Sequence, residues 1–293
     1  MSLFRRVAVF GVGLIGGSVG SGLKERGLVD EVVGVGRRSE SLEAARARGL
    51  IDSVSLDPAA AFRGADLVLL AAPVAPVVEL LESGLAAVPG RLLVTDACST
   101  KAAVLAAAGK LDPRHSFVGG HPIAGSEQRG SAAADPDLFR DRVTVLTPTR
   151  STSADSLARV RELWAALGSR VVEMDPRVHD RILALTSHLP HLLSVFACLA
   201  AAPALEAAGR DFFGSGFRDI SRLAAGSDEV WRDIFLTNRD NLVQDLETLV
   251  RLVSEWRSVL ERGDAAAISA GLKEAALIRS RLLRKERGGA SES

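Results

Sequence analysis

Three glycines constrain this chain more than any other feature. Gly11, Gly13 and Gly16 stand in G-x-G-x-x-G spacing, directly after the valine-rich run Arg6–Phe10 and ahead of a stretch to Lys24 that reads as a helix. A strand turning sharply into a helix needs glycine at these places. The first allows the tight turn, the second lets backbone N–H groups approach a pyrophosphate, and the third lets helix and strand pack closely. Glu31–Val35 reads as the next strand, so the motif sits inside a βαβ unit. The helix N-terminus that follows the turn favours negative charge. The expected ligand is a dinucleotide held by Gly11, Gly13, Leu14, Ile15 and Gly16.

The end of the second strand bears on which dinucleotide. An acid there would bind ribose hydroxyls, as NAD requires. This chain instead reads Gly34-Val35-Gly36-Arg37-Arg38-Ser39, with no carboxylate before Glu40. Arg37, Arg38 and Ser39 suit a 2′-phosphate, which leans the expectation towards NADP with NAD as the alternative.

The same rhythm continues. Ala65–Ala71, Leu92–Thr95, Phe117–Gly119, Val143–Leu146 and Arg170–Glu173 read as strands, with helices at Val77–Leu85 and Ser153–Leu167. Such alternation predicts an α/β fold: a Rossmann-like doubly wound sheet over residues 1–174. Ligands bind outside the carboxyl ends of the strands in sheets of this kind. Ser99 and His121 each follow a strand directly, so both are expected near the nicotinamide end of the cofactor, and Lys101 is a further candidate there.

From Pro176 onward the strand pattern stops, which predicts an all-helical domain over 175–287 and a frayed tail over 288–293. Leu242, Leu246, Leu249, Val253, Trp256 and Leu260 recur at alternating four- and three-residue spacing, a coiled-coil-like seam. Gly263 and Asp264 read as a helix stop and the next N-cap. The segment Ile182–Leu205 contains no Asp, Glu, Lys or Arg, yet it carries Ser187, His188, Pro190, His191 and Pro203. Polar groups and prolines argue against a membrane span, so this segment is expected inside a homodimer interface or domain core. Pro190 should kink the helix beside His188 and His191. Their H-x-x-H spacing lacks further ligands, and no metal is expected. Arg218 and Arg222 share a helix face and suit a carboxylate.

Composition narrows the chemistry. Lys and Arg total 36 against 36 Asp and Glu, so bulk electrostatics supply no attraction to nucleic acid or an anionic membrane. With two cysteines, Cys98 and Cys198, no disulfide framework or cysteine zinc site is expected. There is no tyrosine, which removes every mechanism with a tyrosine acid or base. The residues from Met1 carry no signal-peptide pattern, and a cytoplasmic protein is expected.

Taken together, VAVFGVGLIGGSVG, TDACSTK, GGHPIAGSE, HDRILALTSHLPH and GFRDISRLAAGSDEVWRDIF resemble the prephenate/arogenate dehydrogenases of tyrosine biosynthesis along nearly the whole chain. The resemblance implies oxidative decarboxylation of a cyclohexadienol with hydride transfer to NAD(P)+. It implies His121 as proton acceptor, Ser99 as its orienting hydroxyl and Arg222 as the carboxylate site. His191, His188, Ser126 and Glu127 would line the substrate pocket, and Trp231 would reach in from the partner of a homodimer. Prephenate is the first substrate expected and arogenate the alternative. Cys98 departs from the small residue usual in that family. The chain beyond SHLPH is too short for an appended regulatory domain, and none is expected. A 3-hydroxyacid dehydrogenase or ketopantoate-type reductase would carry a lysine around residues 180–200, where this chain has histidines. A dinucleotide-sensing binding protein would have no use for Ser99, His121, His191 and Arg222 together.

Overall fold

Strand β1 (Phe4–Phe10) occupies the middle of the sheet because its side chains alternate between two cores. Val7 and Val9 enter one core with Val19 and Leu23 of helix α1 (Leu14–Glu25) and with Leu163 and Trp164 of α6 (Ala154–Ala166). Ala8 faces the other with Phe62 of α3 (Pro58–Phe62), Val77 and Leu81 of α4 (Val74–Ser83) and Val104 of α5 (Ala102–Ala108). Each fully buried valine or leucine contributes about 1.5–3 kcal/mol relative to exposure, so both faces must be covered. The computed structural model describes residues 2–83, 85, 87–125, 128, 130–208 and 214–283.

The sheet has eight strands in the order β3-β2-β1-β4-β5-β6-β7-β8. They are β2 (Val29–Val35), β3 (Ser53–Ser55), β4 (Leu67–Leu70), β5 (Leu93–Asp96), β6 (Ser116–Pro122), β7 (Val143–Thr147) and β8 (Arg170–Glu173). Helix α2 (Ser39–Ala47) links β2 to β3. The first six strands run parallel. The chain leaves β1 towards β2 on one side and returns to β4 on the other, which opens a crevice at the carboxyl ends of β1 and β4.

Strand β6 changes partners along its length. Ser116–Val118 pair with β5 in parallel, whereas Gly119–Pro122 pair with β7 in antiparallel register, His121 opposite Val145. The sequence placed His121 just after a strand; it lies inside β6, because the antiparallel neighbour extends the ladder beyond the parallel one. Gly120 is required at the switch, since a Cβ there would lie 2.7 Å from the carbonyl oxygen of Asp96.

Among the described residues the further elements are helical, as expected. Asp175 caps α7 (Pro176–Leu183), its side chain accepting from the amides of Arg177 and Val178. A π-helical stretch, Ala184–His188, joins α7 to α8 (Leu189–Ala208). Pro190, where the sequence predicts a kink, follows directly: proline supplies no N–H to the preceding turn, and the chain widens ahead of it. Helix α9 (Ser215–Arg222), a 3-10 turn (Leu223–Ala225) and α10 (Asp228–Thr237) follow, then α11 (Arg239–Glu261) and α12 (Ala265–Leu283).

By its contacts the chain forms two units, 1–242 and 243–293. The first holds the sheet and α7–α10. In the second, Gly271 lets the Trp256 ring approach, a Cβ there lying 2.7 Å from Cζ2. Gly263 adopts φ +62° and Asp264 accepts the amide of Ala267, the stop and cap read from the sequence.

Candidate active site

The glycine motif forms a cradle whose shape fits a dinucleotide. A Cβ on Gly11 would lie 2.7 Å from the carbonyl oxygen of Ala71 at the end of β4, and its φ of +96° also demands glycine. A Cβ on Gly16 would collide with the carbonyl oxygen of Gly11, whereas Gly13 has nothing within 4 Å and leaves room for a phosphate. These are the three roles expected of the motif. Leu14 and Ile15 form the first turn of α1, with Ile15 packed on the sheet core.

A cleft of about 610 Å³ extends from Gly11 and Gly13 to Arg37 and Arg38, with Ala71–Pro73 on one side and Gly130–Ala132 on the other. Ser39 is exposed as the first residue of α2. Arg37 reaches Glu229 at 3.5 Å, a largely exposed pair of small energetic weight. The Gly130–Ala132 wall is held by side chains of the βαβ unit. Arg48 donates to the carbonyl of Ala132 at 3.1 Å, and the amide of Asp135 donates to Ser18 Oγ at 2.9 Å.

Ser99 and His121 lie at the carboxyl ends of β5 and β6. Those strands are two and three places from β1 in the sheet, roughly 10 and 14 Å at the usual strand spacing. Nearly all of His121 is buried. Its Nδ1 lies 2.8 Å from Nε2 of His179, and His179 Nδ1 lies 2.8 Å from Oδ1 of Asp180. Burial, then the neighbouring charges of His179, Lys101 and His188, pushes the His121 imidazole well below its ordinary range, so it is neutral at pH 7. Burial works to raise the Asp180 carboxyl. The hydrogen bond from His179 and the amides of Ala102 and Lys101 outweigh it and hold the group low. Those amides begin α5, so Asp180 is also its N-terminal cap.

Lys101 lies wholly inside the protein. Its ammonium bonds to Asp96 and to the carbonyl of Gly120, 2.7 Å away. Asp96 in turn accepts the amides of Gly120 and Cys98 at 2.9 and 3.0 Å. The residue beside His121 is therefore gripped at both its N–H and its C=O. Lys101 corrects an expectation: it braces the strand ends and has no exposed ammonium to offer a substrate. Cys98 is buried, and burial followed by the charge of Asp96 raises its thiol well above the ordinary value, so it fills space and is not poised to react.

His188 and His191 are both buried, on the inner face of the π-helical turn and α8. The Asn238 amide donates to His188 Nδ1 at 3.0 Å, while His188 Nε2 is buried without a hydrogen-bond partner among the described residues. Burial lowers His188 to about 4. His191 stacks on Trp231, with centroids 3.5 Å apart and planes 15° from parallel, and burial lowers it as well. Gly226 admits this stack, since a Cβ there would lie 2.8 Å from His191 Cε1. Trp231 was expected to reach in from a partner; its ring here packs against a histidine of its own chain. His188 meets the same Trp231 ring edge-on, with centroids 6.2 Å apart.

Arg218 and Arg222 lie exposed on α9, and Arg222 is followed by the turn that leads to Gly226. Ser126 and Glu127 lie outside the described residues. The sequence reading did not assign His179, Asp180 or Asn238. The first two stand inside the quoted HDRILALTSHLPH motif, and Asn238 carries no local signal.

Comparison with known proteins gives one consistent picture. Residues 19–173 match the model of the prephenate dehydrogenase nucleotide-binding domain, and residues 175–274 that of the prephenate dehydrogenase dimerization domain. The chain is 32% identical to prephenate dehydrogenase of Bacillus subtilis, covering 96% of this chain and 77% of the relative. It is 32% identical to cyclohexadienyl dehydrogenase of Zymomonas mobilis over 94% of each protein. Among solved structures, prephenate dehydrogenase from A. aeolicus in complex with hydroxyphenyl propionate and NAD+ superposes with a TM-score of 0.83 at 29% identity, covering 95% of this chain and 98% of that one.

Proposed function

The chain belongs to the prephenate dehydrogenase family, and from that premise we infer how its residues carry out the oxidative decarboxylation of prephenate. Bound NAD(P)+ supplies the acceptor for the hydride that leaves the ring carbinol carbon. His121 Nε2 takes the hydroxyl proton as the C–O bond becomes a carbonyl. The bond from the opposite ring carbon to its carboxylate then breaks, its electron pair enters the ring, and CO2 departs. The ring becomes aromatic, and the phenolic oxygen recovers the proton from His121.

The observation that carries this reading is a neutral, buried histidine at the end of β6, on the edge of the sheet that also bears the dinucleotide cradle. A base must be unprotonated and held still to act. Ser99 orients the substrate hydroxyl or His121 itself. Arg222 binds a substrate carboxylate, while His188, His191 and Trp231 wall the ring. Gly11, Gly13 and Gly16 would hold the pyrophosphate of the cofactor, which would supply the hydride acceptor. Arg37, Arg38 and Ser39 support the NADP+ choice, although the A. aeolicus relative holds NAD+.

Helices α7 and α8 support a homodimer. Pro176–Glu206 is apolar and long enough to cross a membrane by length and composition, yet only 22% of its most apolar window is buried within one chain. Its polar inner face, lined by His188, His191 and Ser194, favours a second copy over lipid as the cover for Phe196 and Leu199. No nucleic acid or membrane has a role in this reading, and the site of action is cytoplasmic.

The test is a four-way assay of the full chain, with prephenate or arogenate against NAD+ or NADP+, following reduced nicotinamide. Turnover of prephenate with at least one cofactor is expected. No turnover in any combination refutes the reading, and turnover of arogenate alone reassigns the substrate.

A further inference from the structure

We infer that Asp180 and Asn238 are positioning residues that hold His121 and His188 in opposite tautomers, making one an acceptor and the other a donor towards the substrate. The inference rests on the preceding assignment of His121 as the base.

The first branch starts at Asp180. Its Oδ1 accepts the amide of Lys101 and Nδ1 of His179, both at 2.8 Å, and its Oδ2 accepts the amide of Ala102 at 2.9 Å. A carboxylate only accepts, so Nδ1 of His179 must carry hydrogen. With its hydrogen on Nδ1, His179 offers a lone pair at Nε2. That lone pair faces His121 Nδ1 at 2.8 Å, so the hydrogen of His121 sits on Nδ1. Its Nε2 is left as a lone pair, the state a base requires, and the imidazolium formed in the reaction leans through His179 on the Asp180 charge. Burial and the nearby Lys101 ammonium disfavour that cation. Asp180 opposes them through the ring of His179.

The second branch starts at the backbone of the same residue. Asn241 Nδ2 donates to Asn238 Oδ1 at 2.8 Å and so fixes which way the Asn238 amide points. Asn238 Nδ2 then donates to the Asp180 carbonyl at 2.8 Å and to His188 Nδ1 at 3.0 Å. A neutral His188 with an occupied Nδ1 lone pair carries its hydrogen on Nε2. That N–H is buried with no partner among the described residues, and a carboxylate or keto oxygen of the substrate is the acceptor it fits. The His179–Asp180 pair thereby supplies both polarities the substrate needs, a lone pair for its hydroxyl and an N–H for its oxygen.

The chain has only five histidines, so each tautomer is resolvable by long-range ¹⁵N–¹H correlation on the full-length protein labelled at histidine nitrogen. The expected result is hydrogen on Nδ1 of His121 and His179 and on Nε2 of His188. Hydrogen on Nε2 of His121, on Nδ1 of His188, or on both nitrogens of His179 overturns the inference. Kinetics give a second arm. His179→Leu removes the acceptor, whereas His179→Gln keeps an oxygen near the old Nε2. The Leu variant should lose about 10²-fold or more in kcat with little change in KM, and the Gln variant should recover most of it. Equal losses in both variants, or a fall in thermal stability without a fall in kcat, also overturn it. The two readings fail separately: an active His121→Gln with the expected tautomers refutes the base, and an inactive one with the wrong tautomers refutes the positioning.

Discussion

The carboxylate of Asp233 accepts the amide of Ala75 at 3.1 Å, so an acid from α10 caps the N-terminus of α4. Asp180 does the same for α5 from α7. Two helices that begin beside the strand ends are therefore capped by carboxylates of the helical segment that carries the site histidines. Docking that segment and assembling the site are one event.

Removing the Asp233 cap should loosen this docking. Asp233→Ala is expected to lower unfolding free energy by about 1 kcal/mol, the usual worth of an N-cap. Its contact with the exposed Arg232 adds little. An unchanged denaturation midpoint would contradict the capping role.

Lys101→Met leaves Asp96 charged and buried without its partner. Such single deletions cost about 3–5 kcal/mol, and the strand end at Gly120 loses one of its two grips. Urea unfolding should show the loss. A cost below about 1 kcal/mol would mean the pair behaves as a surface one.

The rate should resist mild acid. A base must be neutral, and burial above all holds His121 well below its ordinary 6.5. On lowering the pH, kcat/KM should stay level through 6.5 and fall only in more acid solution. An acid limb centred above 6.5 would be inconsistent with His121 in this setting.

Stability should behave differently from rate in the same range. His188 is lowered to about 4 in the folded chain from 6.5, so between these values the unfolded chain binds the extra proton. Stability is full above pH 6.5 and is lost as pH falls towards 4, by about 3 kcal/mol at 1.36 kcal/mol per pH unit. His188→Gln should flatten that slope in denaturant titrations at stepped pH. A slope identical to the parent protein would rule His188 out as its source.

Cofactor choice turns on Arg38, which lines the cleft without the Glu229 contact that Arg37 makes. Arg38→Ala should raise KM for NADP+ by roughly 10-fold or more, the worth of one charged hydrogen bond, and leave KM for NAD+ nearly unchanged. Equal effects on both cofactors, or a parent protein that uses only NAD+, would end the NADP+ assignment.

Much of this molecule is legible in one dimension. The glycine cradle, the strand series, the helical second half and the Gly263–Asp264 punctuation all depend on residues close in sequence. Backbone conformation and period-two or helical burial leave their mark there. The three-residue β3 and the five-residue α3 left no such mark, since neither completes a recognisable period. His121 and Ser99 were legible as residues at strand ends, but what surrounds His121 was not. His179 lies 58 positions away, and Asn238 a further 59 beyond it. Lys101 looked like an available cation beside a strand end. The sequence alone thus determined the sheet and the cradle, and put His121 at the end of a strand. Only the tertiary structure decided that Lys101 is a buried brace, that Trp231 lies on His191, and that Asp180 reaches His121 through His179. A charge's role depends on what packs over it, and a hydrogen bond between distant segments exists only once the chain has closed.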